Sequence, residues 1–99
     1  TQPIPVTIDK ILSEVSRTFN VSAEDLRSAK RNAAVSSARR AAIYILREIT
    51  GMSTEEIGRE FGGRDHSTIV YSLKTIEREM RDDQRLKETV DDIISNIRA

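Results

Sequence analysis

Ile69, Leu73, Ile76 and Met80 recur at steps of four, three and four, and this spacing constrains the fold more than any other feature of the chain. Residues three and four apart share one face of a helix, whereas a half-buried strand alternates at period two. The same signal returns along the sequence. Ile8, Ile11, Leu12, Val15 and Phe19 form one stripe, and Ile43, Leu46 and Ile49 another. Ile57 and Phe61 share a face, and Leu86, Val90, Ile93 and Ile97 make a last stripe. No segment sustains a period of two. The sequence therefore predicts an all-α fold, a compact bundle of about six helices.

Local start and stop signals place the helix ends. Pro3 and Pro5 read as an extended lead-in over residues 1–6, ahead of a single helical domain over 7–99. Ser22 followed by Asp25 looks like the cap of a short helix over Ala23 to Ser28. Ala29 to Val35 reads as a basic connector, and a long helix follows from about Ser36 to Thr50 with Gly51 as its left-handed stop. Ser53 and Glu56 form an S-x-x-E capping box for a fourth helix, which ends at Gly62 and Gly63. A fifth helix begins at Asp65 or His66 and a sixth near Asp83. The short helix from Thr54, the glycine turn and the longer helix make a helix-turn-helix pattern over about residues 54–82.

Bulk properties narrow the function classes. Ninety-nine residues suffice for one modest core. No apolar run approaches the roughly 20 residues of a membrane span, and the first residues lack signal-peptide character, so the expected compartment is the cytoplasm. The absence of cysteine excludes disulfides and thiolate metal sites. Net charge is zero, yet its distribution is uneven. Arg27, Lys30, Arg31, Arg39, Arg40 and Arg47 fall in a stretch with no acid, while Glu77 to Asp92 carries seven acids against four bases. The first region suits a polyanion; the second would be repelled by one unless it faces away.

The stretch RDHST, Arg64 to Thr68, concentrates the polar chemistry. Asp65, His66 and Ser67 are the residue types of a hydrolytic triad, but consecutive residues at a helix start fan outward by roughly 100° each and cannot relay a proton in line. The chain has no second histidine for a metal pair and no phosphate-binding G-x-x-x-x-G-K-[ST] loop, so an enzyme is not expected. Two other readings stay open and overlap. Asp65 can cap the helix by accepting from N–H groups near Ser67 or Thr68, with His66 simply exposed. Alternatively, the first turn enters a DNA major groove: Asp65 accepts from a cytosine amino group and His66 donates to a purine acceptor or packs on a thymine methyl. Ser67 and Thr68 then offer hydroxyls to base or phosphate, and Arg64 a charged phosphate contact.

The run EEIGREFGGRDHSTIVYSLKTIE, Glu55 to Glu77, resembles the signature of the C-terminal DNA-binding domain, domain IV, of the bacterial chromosomal replication initiator DnaA. GGRDHST is long, ungapped and specific. The similarity extends from VTIDKILSEVSRTFNVSAEDLRS through the basic segment to the last helix. It implies a Trp-repressor-like helical bundle that binds double-stranded DNA at nine-base-pair sites of the TTATCCACA type at the replication origin. It also implies roles: Asp65, His66 and Ser67 as major-groove base readers, Arg31 in the minor groove, and Arg39, Arg47, Arg64 and Thr68 on phosphates, with Lys74 a weaker candidate. The implied chain needs no cofactor of its own, ATP being bound only by a full-length initiator through a phosphate loop absent here. It is expected to act as a monomer associated with the nucleoid, with other initiator domains or a regulatory protein as further partners.

Departures from the family pattern lie in the connector, where Asn32, Ala33 and Ala34 replace further basic residues, and at Ala38, where a proline is common. Ser72 stands where alanine is usual, and Ser67 lacks the methyl of the alternative threonine. Two further functions fit the same residues. One is a helix-turn-helix transcription regulator on another site; the other is a protein-interaction module whose acidic last helix docks a partner.

Overall fold

Six helices succeed one another in the computed structural model, which describes residues 3–99. They are α1 (Ile4–Phe19), α2 (Ala23–Arg27), α3 (Ala33–Thr50), α4 (Thr54–Glu60), α5 (His66–Asp82) and α6 (Gln84–Arg98), with no strand among the described residues.

The boundaries follow from capping chemistry. Asn20 takes a left-handed conformation at the end of α1, with φ 57°, and Gly51 does the same after α3, with φ 69°. The Gly51 N–H donates to the Arg47 carbonyl at 2.9 Å, closing the last turn. Both halves of the Ser53–Glu56 capping box are made, and Ser22, Asp65 and Asp83 cap α2, α5 and α6 by accepting from N–H groups three residues on.

Two starts differ from the sequence expectation. The extended lead-in does not reach residue 6, because α1 already begins at Ile4; Thr1 and Gln2 lie outside the described residues. Pro5 falls in the first helical turn, where a missing N–H has no intrahelical partner to lose, and the Pro3 carbonyl accepts from Thr7 N–H at 3.1 Å. Helix α3 starts three residues earlier than Ser36. The Asn32 side chain accepts from Val35 N–H at 2.9 Å and caps the helix from within the expected connector, which shrinks to Ser28–Asn32.

Helix α3 is the hub of the bundle and touches all five others. Ala38, Ala41, Ala42, Ile43, Ile45 and Leu46 are fully buried, so it is apolar on more than one side, with alanines allowing close approach of its neighbours. Ile11 and Val15 of α1, Leu26 of α2, Ile57 of α4, Ile69 and Ile76 of α5 and Val90 of α6 complete the core. Arg40 ties α3 to α5 through a two-pronged pair with Glu79, at 3.1 and 3.2 Å.

The α4–α5 turn is built on Gly58. Its carbonyl accepts from the N–H groups of both Gly63 and Arg64, each at 3.0 Å. A Cβ at Gly58 would stand 2.1 Å from the Arg64 carbonyl oxygen, so only glycine permits α4 and the turn to approach this closely. Phe61, fully buried, pins the turn to the core. Beyond the turn α5 rises about 1.5 Å per residue, which separates His66 from the exposed Asp82 by ~24 Å. Asp82, at the far end of α5, is thus carried away from its tip.

Candidate nucleic-acid interface

Asp65, His66, Ser67 and Thr68 are all exposed, and they occupy the cap and first turn of α5 while Ile69 immediately behind them is buried. The amphipathic period explains the change: the turn around Gly58 brings the start of α5 to the surface, and the apolar stripe begins only where the helix meets α3. Asp65 accepts from Thr68 N–H through Oδ1 at 2.9 Å. That backbone bond is the main reason its carboxyl is held below the ordinary aspartate range. The Thr68 side chain adds to that lowering, so the cap is made by backbone and hydroxyl together.

His66 is held from the side. Its Nδ1 lies 2.5 Å from Thr54 Oγ1, at the start of α4, and 3.8 Å from Glu55 Oε2. The first turns of the two helices therefore stand next to each other. Arg47 flanks this pair from α3: its side chain is exposed and donates to the Met52 carbonyl at 2.8 Å, one residue ahead of the Ser53 cap.

On the other side of the tip lies the connector, and here one expected role needs correction. Arg39 is only 6% exposed. Its Nε donates to the Leu26 carbonyl at 2.8 Å, and its terminal nitrogens donate to the Lys30 and Asp25 carbonyls at 2.9 Å each. A guanidinium enclosed in this way cannot reach a phosphate; it clamps the end of α2 and the connector onto α3. Arg64 is half-buried and partly committed, donating to the Ser28 carbonyl at 2.8 Å and to the Phe61 carbonyl. Three of its five N–H groups remain.

These two arginines hold the connector backbone with Arg31 exposed at its apex and without a hydrogen-bond partner among the described residues. Burial, and then the Arg31 charge, lower the pKa of Arg64; burial, and then the Arg64 charge, lower that of Arg39. Arg64 thus lies within reach of both other cations, and Asp25, which pairs with Lys30 at 3.2 Å, offsets part of the repulsion at Arg39. A polar cleft of about 290 Å³ opens there, lined by Arg31, Gly62, Gly63, Arg64 and Thr68 among others.

Sequence reasoning missed several neighbours of the tip. Val70 and Tyr71 line a shallow groove of about 250 Å³ together with His66, Ser67 and Lys74, the last already a weaker candidate from the sequence. Tyr71 is 67% exposed, the one large apolar side chain so placed among the described residues. Steps of one, three, one and three from His66 put these residues on one helix face, so the helical period was enough to find them. Thr54 and Glu55 offered no such signal.

Residues 8–76 match the family model described as the bacterial DnaA protein helix-turn-helix. The chain belongs to that family. Among its DnaA relatives, the chromosomal replication initiator protein DnaA of Thermodesulfovibrio yellowstonii is 37% identical over 94% of this chain and 21% of its own length. That of Citrifermentans bemidjiense is 43% identical over 89% of this chain and 19% of its own. The Treponema pallidum DnaA is 40% identical over 97% of this chain and 21% of its own. The chain therefore spans about a fifth of the length of these DnaA proteins. The crystal structure of a DNA replication initiation factor superimposes with a TM-score of 0.75 at 30% identity, over 92% of this chain and 29% of that one. The DnaA match includes the connector, the helix-turn-helix and the tip of α5.

Proposed function

We propose that this chain binds duplex DNA sequence-specifically, at nine-base-pair sites of the TTATCCACA type, and that it serves origin recognition in chromosomal replication. The observation that carries this reading is a run of four exposed polar side chains at the start of α5, flanked on both sides by arginines. In the proposed complex the first turn of α5 enters the major groove. Asp65 accepts from a cytosine amino group through its exposed carboxylate, and His66 and Ser67 meet neighbouring base edges. Arg31 reaches from the connector into the adjacent minor groove, where narrow A·T-rich segments attract a guanidinium. Arg47, Arg64 and Thr68 contact phosphates on either side, and the N–H groups of the first turn add to this. Arg39 acts only through the connector it holds. One copy of the chain suffices for one site, and no cofactor of its own is needed.

Base readers and phosphate contacts separate in a binding titration. His66→Ala and Asp65→Ala are each expected to weaken binding to the specific duplex by about ten- to a hundredfold. Affinity for unrelated duplexes should barely change, since that is carried by phosphate contacts. Equal losses on specific and unrelated duplexes would remove the tip of α5 from base recognition.

A further inference from the structure

The hydroxyl of Thr54 stands between two groups and has a single proton to give. It donates to Glu55 Oε1 at 3.2 Å, and the same oxygen contacts His66 Nδ1. Glu55 can only accept in its ionised form, and it stays ionised. Its own backbone N–H is the largest influence holding its pKa below the ordinary glutamate range, followed by the Thr54 hydroxyl, with the charges of His66 and Arg59 adding less. Once the hydroxyl proton points to Glu55, the contact with the imidazole can be made only if Nδ1 carries a hydrogen and donates it. The second carboxylate oxygen of Glu55, 3.8 Å from Nδ1, draws positive charge to the same atom. In a neutral imidazole a hydrogen on Nδ1 leaves Nε2 with a bare lone pair.

We propose that Thr54, backed by Glu55, is a positioning residue that locks His66 as its Nδ1–H tautomer and so presents Nε2 to the groove as a hydrogen-bond acceptor. The consequence is a choice of base, and it rests on the reading of α5 as a base reader. An acceptor pairs with the amino groups of adenine N6 or cytosine N4. Facing guanine N7 and O6 or thymine O4 it would set lone pair against lone pair, which discriminates by repulsion as well as by attraction.

His66 is the only histidine of the chain, so the ring nitrogens can be observed without overlap in a long-range ¹H–¹⁵N correlation spectrum at alkaline pH. The expected spectrum shows a protonated Nδ1 and a bare Nε2 in the wild type and in Thr54→Ser, which keeps the hydroxyl. The double variant Thr54→Val/Glu55→Gln, which removes the acceptor and the anion, is expected to lose that preference. Binding is measured in parallel on a TTATCCACA duplex and all its single-base-pair changes. At one position the wild type should favour adenine or cytosine by about tenfold, and in the double variant that ratio should fall to near unity with the other positions unchanged. A bare Nδ1 in the wild type would overturn the proposal whatever the DNA result. So would a double variant that keeps every base preference. No binding of the wild type to any of these duplexes would overturn the base choice together with the DNA-binding reading, while the spectrum would still decide the tautomer.

Discussion

Gly58→Ala is expected to destabilise the fold by about 3 kcal/mol or more, the upper range for forcing extra volume into a packed region. Helix propensity alone predicts the opposite sign, because alanine in a helix is favoured over glycine by about 1 kcal/mol. The geometry decides between them. The added Cβ would sit 2.1 Å from the Arg64 carbonyl oxygen, which is backbone and cannot swing aside. Moving that carbonyl would break the two hydrogen bonds from Gly63 and Arg64 to the Gly58 carbonyl, which define the turn. For a domain of this size the loss corresponds to a Tm lower by roughly 12–24 °C. Thermal unfolding followed by circular dichroism measures it. Gly63→Ala provides the comparison: its φ of 77° disfavours a side chain, but nothing stands within 4 Å of the added atom. Its expected loss is only about 1–2 kcal/mol. A Gly58→Ala protein as stable as the wild type would mean that α4 and the turn do not pack as described.

Arg39→Lys is expected to cost about 3 kcal/mol, despite conserving charge. Each hydrogen bond from a charged donor contributes about 1.5–3 kcal/mol, and a lysine cannot span carbonyls on Asp25, Leu26 and Lys30 at once. Two of the three would be left without the donor they now have. A surface phosphate contact would behave differently, because lysine would keep the charge and stability would change by less than about 0.5 kcal/mol. Urea unfolding separates the two. With the clamp weakened, the connector that carries Arg31 should also lose its fixed path, so discrimination at the A·T-rich end of a site should decline with stability. Unchanged stability in Arg39→Lys would return Arg39 to the phosphate-contacting group.

The contrast between Arg39 and Arg47 shows where sequence reading stops. Both lie on α3, both are basic, and both looked like supports for a polyanion. They differ because one face of α3 meets α2 and the connector, whose carbonyls enclose Arg39, whereas Arg47 is exposed about two turns further along. Burial of a particular guanidinium is a tertiary fact that no local pattern contains. By contrast, the Ser53–Glu56 box, the Gly51 stop and the Asp65 cap were legible, since each acts within four residues of chain. Asn32 illustrates the margin: a cap inside a basic segment hides among residues that look like a loop, and α3 starts earlier for it. The polar tip of α5 was legible as a break in the apolar period. The grip of Thr54 on His66 was not, because it joins residues twelve apart across a turn whose closeness depends on a glycine within α4.

Selection from a pool of random-sequence duplexes at physiological salt tests most directly whether the tip of α5 and the Arg31 connector together read DNA. The expected outcome is a single motif of the TTATCCACA type, with its A·T-rich end relaxed when the pool is challenged with Arg31→Ala and its other positions kept. A pool that shows no enrichment with the wild-type chain, or a motif that Arg31→Ala and His66→Ala both leave untouched, would contradict the claim that these two elements recognise bases.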